Sequence, residues 1–266
     1  MLSLGLSITS PAVWGRRSYD ADAQAIFDAF TTPATVSRKI LINDLVLALK
    51  AATIWDDLDI LYVIAAEDSQ AARINWKNPG VFTASPVNAP TFEVDRGYTG
   101  DGSSARLNTN WTPSVNAVNY SQNSASIWVW CRNNIAATTV AIGSRSVDPV
   151  DIIYPRTAGG NFSTYVNINN SDTATIAFGI GTSVGFSGAQ RRGAADARTW
   201  KDGIEKASSS TASVGLPTQE QWICGGNATQ FSTLQQSVAA WGASLAGKEL
   251  AFYNATLAYL QAVGAA

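Results

Sequence analysis

The sequence predicts a mainly β protein: a two-sheet sandwich of jelly-roll type, closed by a carboxyl-terminal helix and preceded by a small helical unit. Three observations carry this. Residues 97–234 hold short apolar runs broken by Gly, Asn, Ser and Asp, the pattern of strands and turns. Within them, Ala125–Arg132 (ASIWVWCR) puts Ile127, Val129 and Cys131 on one side and Trp128 and Trp130 on the other. Both faces are apolar, which predicts a central strand covered on both sides. Finally, Lys201-Asp202-Gly203-Ile204 is a hairpin signal, because Asp-Gly suits a two-residue type I′ turn. No repeat of fixed period appears, which excludes a solenoid or propeller.

Composition narrows the function classes. Only 14% of the 266 residues are charged, against a typical ~25%, while nine are Trp. Such a chain has either a large aromatic core or much surface buried in an assembly. Net charge is −2 and no basic stripe is present, so nucleic acid is not an expected partner. No apolar run approaches the ~18 residues of a membrane span, so no membrane insertion is expected. Arg16 and Arg17 follow the first apolar residues instead of preceding them, unlike a signal peptide. A cytosolic product is expected, unless it leaves in a lysed cell or a particle. With no histidine there is no Ser–His–Asp triad, no Cys–His pair and no imidazole ligand. Cys131 and Cys224 lie in apolar strand-like runs and are expected as buried reduced thiols; a disulfide between adjacent strands is the alternative.

In chain order, residues 1–19 read as an extended arm punctuated by Gly5, Pro11 and Gly15. Its Leu2, Leu4, Leu6, Ile8 and Trp14 call for cover, from its own domain or from a neighbouring subunit. Residues 20–78 read as a helical docking unit. Asp20 and Asp22 favour a first helix start, Thr32-Pro33 a second and Thr53 a third, the last with Trp55, Leu58, Leu61, Tyr62 and Ile64 inward. A short turn follows at Asp68–Arg73. Pro79, Gly80, Pro86 and Pro90 end the helical period and open the sandwich, 79–266.

Strands are expected at Ala105–Leu107, Thr138–Ile142, Ile152–Tyr154, Phe162–Ile168, Thr173–Phe178 and Gln221–Cys224. Ser183–Ser187 is expected to pair with Ala197–Trp200. Ser237–Trp241 fits a buried strand that hands over to the closing helix. There Leu250, Tyr253, Leu257 and Leu260 share one face. With Ala246 as N-cap, Glu249 takes the capping-box position and Leu245 and Leu250 the staple positions.

Candidate chemistry is sparse. Beyond Tyr98 the only glutamates are Glu205, Glu220 and Glu249, and no strand presents paired carboxylates at period two. Glycan hydrolysis needs two carboxylates facing across a cleft, so the chain is read as not an enzyme. Asp148 and Asp151, split by Pro149, read as solvated loop acids and not as calcium ligands. No cofactor or metal is expected. Arg191-Arg192 reads as a solvated turn. Sugar binding would use aromatic rings with polar neighbours. Trp111, Tyr120 and Asn123 of the Asn-rich 108–124 loop have that chemistry. A second set is Tyr154, Arg156 and Asn161, beside Gly159-Gly160. The plainer alternative is that Trp111 and Tyr120 pin the loop to the sandwich.

The phrases ARTWKDGIEK, QWICGGN and AAWGASLAGKELAFYNATLAYL resemble the laminin-G-like, concanavalin A-like sandwich modules, over roughly Tyr98 to Gly264. GYTGDGSS, YSQNSAS and ARINWKNPG resemble a group of phage and prophage virion proteins in which a short helical unit precedes a lectin-like domain. The resemblance implies a virion structural protein, a tail or head appendage that contacts host surface glycans. The alternative is a purely structural decoration protein that binds none. Either way the implied partners are other virion proteins (tail, portal or capsid subunits), with host surface polysaccharide for the first reading, and a homo-oligomer is expected. Two departures stand out. Ala246 replaces the usual Ser or Thr helix cap, and the calcium loop of the lectin branches is not evident.

Overall fold

The computed structural model describes residues 18–227 and 229–266. The expected apolar arm, Met1–Trp14, lies outside the described residues. Strands run β1 (Leu58–Val63), β2 (Ser85–Val87), β3 (Thr91–Glu93), β4 (Gly97–Thr99), β5 (Arg106–Asn108), β6 (Ala125–Cys131), β7 (Ile142–Ser144), β8 (Val150–Tyr154) and β9 (Phe162–Ile168). They continue as β10 (Thr175–Ala177), β11 (Gly185–Gly193), β12 (Asp196–Lys201), β13 (Ile204–Ser209), β14 (Trp222–Ile223), β15 (Gly225–Asn227), β16 (Gln230–Phe231) and β17 (Gln235–Gly242). The helices are α1 (Ala21–Asp28), α2 (Val36–Ala51), the single turn α3 (Pro113–Asn116) and α4 (Glu249–Ala262).

The described residues form a two-sheet antiparallel sandwich. One sheet has the order β13-β12-β11-β6-β17-β4-β3, with β1 also on β17; the other has β10-β9-β8-β7-β14-β5-β2. The fully buried β6 sits at the centre of the first sheet, paired to β11 and β17. Its two faces belong to different cores. Ile127, Val129 and Cys131 point between the sheets, where Leu107, Ile142, Ile153, Phe162 and Ile223 meet them. Trp128 and Trp130 point outward, under α1, α2 and α4. There Trp128 stacks on Phe186 at 5.3 Å and meets Phe252 edge-on at 5.6 Å. Gly188 leaves the room for this: a Cβ there would lie 2.0 Å from the Trp128 ring.

Several expectations hold. Asp20 caps α1 by accepting from the Asp22 N–H. Asp202 (φ 52°) and Gly203 (φ 75°) both take the left-handed region that a type I′ turn requires. Cys131 and Cys224 are buried free thiols, and burial pushes each up to about 12.

Other expectations are corrected. The third helix is absent: Trp55–Asp57 is a single 3₁₀ turn, and Leu58–Val63 is β1, paired antiparallel with Gly242–Val238. A six-residue apolar run satisfies either period, and the free edge of β17 decides between them. The second helix starts later than Thr32-Pro33, at Val36, because the Thr35 hydroxyl accepts from the Arg38 N–H. The strand expected at Thr138–Ile142 is displaced toward the carboxyl end: β7 starts only at Ile142 and runs to Ser144. The β11–β12 pairing is displaced from Ser183–Ser187, running from Ser187↔Lys201 to Gly193↔Asp196.

The closing helix is rotated from its expected face. Phe252, Thr256, Tyr259 and Leu260 are buried, whereas Leu250 is 55% exposed. No capping box forms at Ala246. Glu249 instead accepts from the Gln190 side chain at 2.8 Å, and Gln190 in turn accepts from the Leu245 N–H at 2.7 Å. The N-cap is Lys248, with no side-chain cap hydrogen bond, and the sheet residue Gln190 instead ties the Leu245 segment to the first residue of the helix. Arg191 is no solvated turn either. It is fully buried in β11 and donates to the Val166 and Thr211 carbonyls at 2.8 and 2.6 Å.

Candidate functional site

The Asn-rich loop 108–124 crosses one end of the sandwich, and carboxylates hold it at two points. Asp59, on β1, accepts the Val118, Asn119 and Tyr120 N–H groups at 3.2, 2.8 and 2.9 Å. Deeper in, the Tyr120 hydroxyl donates to Asp151, which also accepts the Asn167 N–H at 2.8 Å. The Asn167 side chain then reaches back to the Ser121 and Gln122 carbonyls at 3.1 and 3.0 Å. Asp151 is fully buried, contrary to the solvated acid expected. Burial pushes its carboxyl up to about 7, against the pull of the Tyr120 hydroxyl, the Asn167 amide and the Arg191 charge.

This anchoring settles where the sequence candidates lie. Trp111 is fully buried and Tyr120 nearly so, both in the core between the sheets, 5.9 Å apart edge to face. They pin the loop and offer no exposed platform. Asn123 is exposed, and its Oδ1 accepts from the Ser213 hydroxyl at 2.6 Å. Tyr154 is buried, and its hydroxyl meets Arg145 and donates to Gln230 at 2.6 Å. Arg156 and Asn161 do fall together, in the loop before β9. Arg156 donates to Asn134 at 3.0 Å, and Asn161 accepts from the Gly179 N–H at 3.4 Å. Beside Gly179 stands Phe178, 78% exposed.

Between the pinned loop and β1 lies a cleft of about 270 Å³. Asp56, Asp59, Asn75, Lys77, Asn78 and Phe82 line one side; Asn116, Val118 and Asn119 line the other, with Trp111 in the wall. Local structure explains three of these placements. The buried Asn75 accepts the Leu61 and Lys77 N–H groups, both at 3.1 Å, which turns the chain at the cleft floor. The Phe82 residue sits at φ 57°, and the Tyr62 hydroxyl holds its carbonyl. Lys77 reaches the Trp55 carbonyl and lies 4.4 Å from the centre of the Trp55 ring. Burial lowers its pKa, against the charges of Asp56 and Asp59. The cleft thus presents carboxylate, ammonium and amide groups around a half-buried ring, the means of fixing a hydroxyl-rich ligand. Among the described residues no group of three or more His, Cys, Asp or Glu could hold a metal ion.

Sequence reasoning found the loop but not the cleft's other wall. Asp59, Lys77 and Phe82 lay in stretches read as helix and junction. Their one available signal was the acidic cluster at Asp56-Asp57 and Asp59, which fitted a helix start equally well.

No protein-family model and no curated sequence matches the chain. Solved structures share its fold. A Trypanosoma rangeli sialidase in complex with sialic acid is similar over 79% of this chain and 38% of its own, with TM-score 0.52 and 9% identity. An HCR/D mutant is similar over 76% of this chain and 53% of its own, with TM-score 0.54 and 11% identity. A Trypanosoma rangeli sialidase mutant displaying trans-sialidase activity is similar over 85% of this chain and 40% of its own, with TM-score 0.50 and 10% identity. The chain therefore spans little more than half the length of these proteins, or less, and what they share with it is the β-sandwich. One expectation is overturned by them: sialidases are among the chains that share this architecture, so the reading of the chain as not an enzyme is withdrawn. No helix among the described residues is long and apolar enough to cross a membrane.

Proposed function

We propose that the chain is a glycan-contacting, lectin-like module of a bacteriophage particle, and that the cleft beside the 108–124 loop takes the sugar. The observation that carries the sugar contact is the cleft itself. Asp56 and Asn78 have exposed polar side chains there, Asn116 adds an amide, and Phe82 offers part of a ring. Hydroxyl groups of a sugar would pair with the first three and an apolar sugar face would lie on the ring. The placement on a virion rests on the sequence phrases alone, as do the expected tail, portal or capsid partners and the homo-oligomer. A specific observation favours the structural decoration reading as second choice: Val36, Leu47 and Leu250 expose 67%, 46% and 55% of their surface along the helical side. Apolar side chains there suit contact with another subunit.

The test is binding of the purified full chain to host cells, with and without competing host surface polysaccharide. Saturable binding that the polysaccharide removes, and that Phe82→Ala and Asp56→Asn weaken roughly tenfold, supports the reading. Binding that neither variant changes moves the contact away from the cleft. No binding to cells, together with attachment to phage particles that lack the protein, sinks the glycan reading and leaves the decoration reading.

A further inference from the structure

A second pocket lies beside β7 and β14 of the other sheet, far along the chain from the cleft residues of β1. It holds about 100 Å³ and is lined by Ser144, Ser146, Gln219, Glu220, Trp222 and Gly226. That is room for about three water molecules' share of liquid, or for one small polar head group. Its walls are fixed. Trp222, on β14, faces away from the core that Ile223 enters, and pairs across to Gly143 and Asn108. The Arg106 guanidinium lies 3.8 Å from the centre of the Trp222 ring, and Phe231 stacks beside that ring at 6.2 Å. Ser144 is held by the Gln221 side chain at 2.9 Å.

Glu220 is the unusual member. It is partly buried and accepts the Asn110 N–H, yet none of the ion pairs among the described residues includes it. Arg106, the nearby cation, is turned elsewhere: its Nε donates to Asn108 at 2.9 Å and its Nη1 to the Ser104 carbonyl at 3.2 Å. Burial raises the Glu220 carboxyl above its ordinary range, while the Asn110 N–H, the Trp222 indole and the Arg106 charge pull it down. A carboxylate desolvated in this way gains most from a ligand that brings a positive charge and hydrogen-bond donors.

We propose that this pocket binds a primary ammonium group, as carried by an amino sugar, with Glu220 as its counter-ion, Trp222 as its aromatic wall and Ser146 and Gln219 as further polar contacts. An ammonium supplies three donors, which matches one carboxylate, one hydroxyl and one amide oxygen. The site goes beyond the cleft and does not rest on it, because no residue is common to the two.

The test uses the full chain labelled with ¹⁵N, following the Trp222 indole N–H by NMR and assigning it by its loss in Trp222→Phe. Glucosamine is the probe, and glucose and glucuronate are its neutral and anionic counterparts. The expected result is a saturable shift with glucosamine, at least about tenfold weaker with glucose and absent with glucuronate. Glu220→Gln keeps the shape and removes the charge, so the preference for glucosamine over glucose should vanish while the other indole signals stay in place. The cleft variants Phe82→Ala and Asp56→Asn should leave the shift unchanged, which separates failure of this site from failure of the cleft. Equal shifts with glucose and glucosamine, an unaltered preference in Glu220→Gln, or no shift at tens of millimolar glucosamine would each overturn the proposal.

Discussion

The two faces of the first sheet are buried by different means. Between the sheets, aliphatic side chains of β6, β7, β8 and β14 interleave around the rings of Trp111, Phe162 and Trp241, and the region ends in the buried polar group of Tyr120, Asp151, Asn167 and Arg191. Under the helices, aromatic rings fill the space: Trp128, Phe186 and Phe252 meet within 5.0–5.6 Å, and Trp130 lies parallel to Tyr253 at 5.9 Å. The difference follows from geometry. Two sheets stand about 10 Å apart and interdigitate their inward side chains at regular spacing, so rings such as Trp111 and Trp241 are set among aliphatic neighbours. A helix meets a sheet over fewer positions, so each contact must carry a larger group. The outer core should therefore concentrate its stability in a few residues. The inner core should spread it, and should carry the molecule's pH sensitivity.

The largest expected effect is on the outer core. Phe252→Ala removes a fully buried ring that touches two others and should lower stability by about 3–5 kcal/mol in chemical denaturation. A loss under about 1 kcal/mol would mean that α4 contributes little, and the comparison would fail. Next, Gly188→Ala drives a methyl group into the Trp128 ring. It should cost about 1–3 kcal/mol and change the near-ultraviolet circular dichroism of the aromatic cluster.

The inner core is tested by pH. Unfolded, Asp151 titrates near 4, whereas burial pushes its carboxyl up to about 7 in the fold. A raised folded-state pKa means that the group's contribution is fully present below about 4 and is lost as pH rises through about 7. The thermal midpoint of the parent, relative to Asp151→Asn, should fall across that window. A difference that stays level from pH 4 to pH 8 would remove the buried charge from the comparison. The smallest effect is expected at Leu250, which the helical period assigns to the core face. Being 55% exposed, it should change stability by no more than about 0.5 kcal/mol on replacement by Ala.

Residues that act through local geometry were legible. Asp20 caps its own helix, Asp202-Gly203 forms its own turn, and ASIWVWC alternates within one strand, so each carries its signal inside a few residues. The cleft was only half legible for the same reason. The loop announces itself by composition, but its opposite wall arrives from β1 and the 75–82 segment, some 30 to 60 positions earlier in the chain. Trp111 and Tyr120 looked like a binding platform because their chemistry suits one; Tyr120's short contact with Asp151, 31 positions away, turns it inward.

By itself the sequence determined the sandwich, the doubly covered central strand, the Asp-Gly hairpin and the presence of a closing helix. These depend on periodicity and on backbone preferences that operate over one turn or one strand. Only the tertiary structure decided that Leu58–Val63 is a strand, that α4 turns Phe252 inward and Leu250 outward, and that Arg191 and Asp151 are buried. In each case the local choices are nearly equal in energy. The free edge of β17, the Gln190 side chain and the backbone carbonyls of β9 supply the difference from far along the chain.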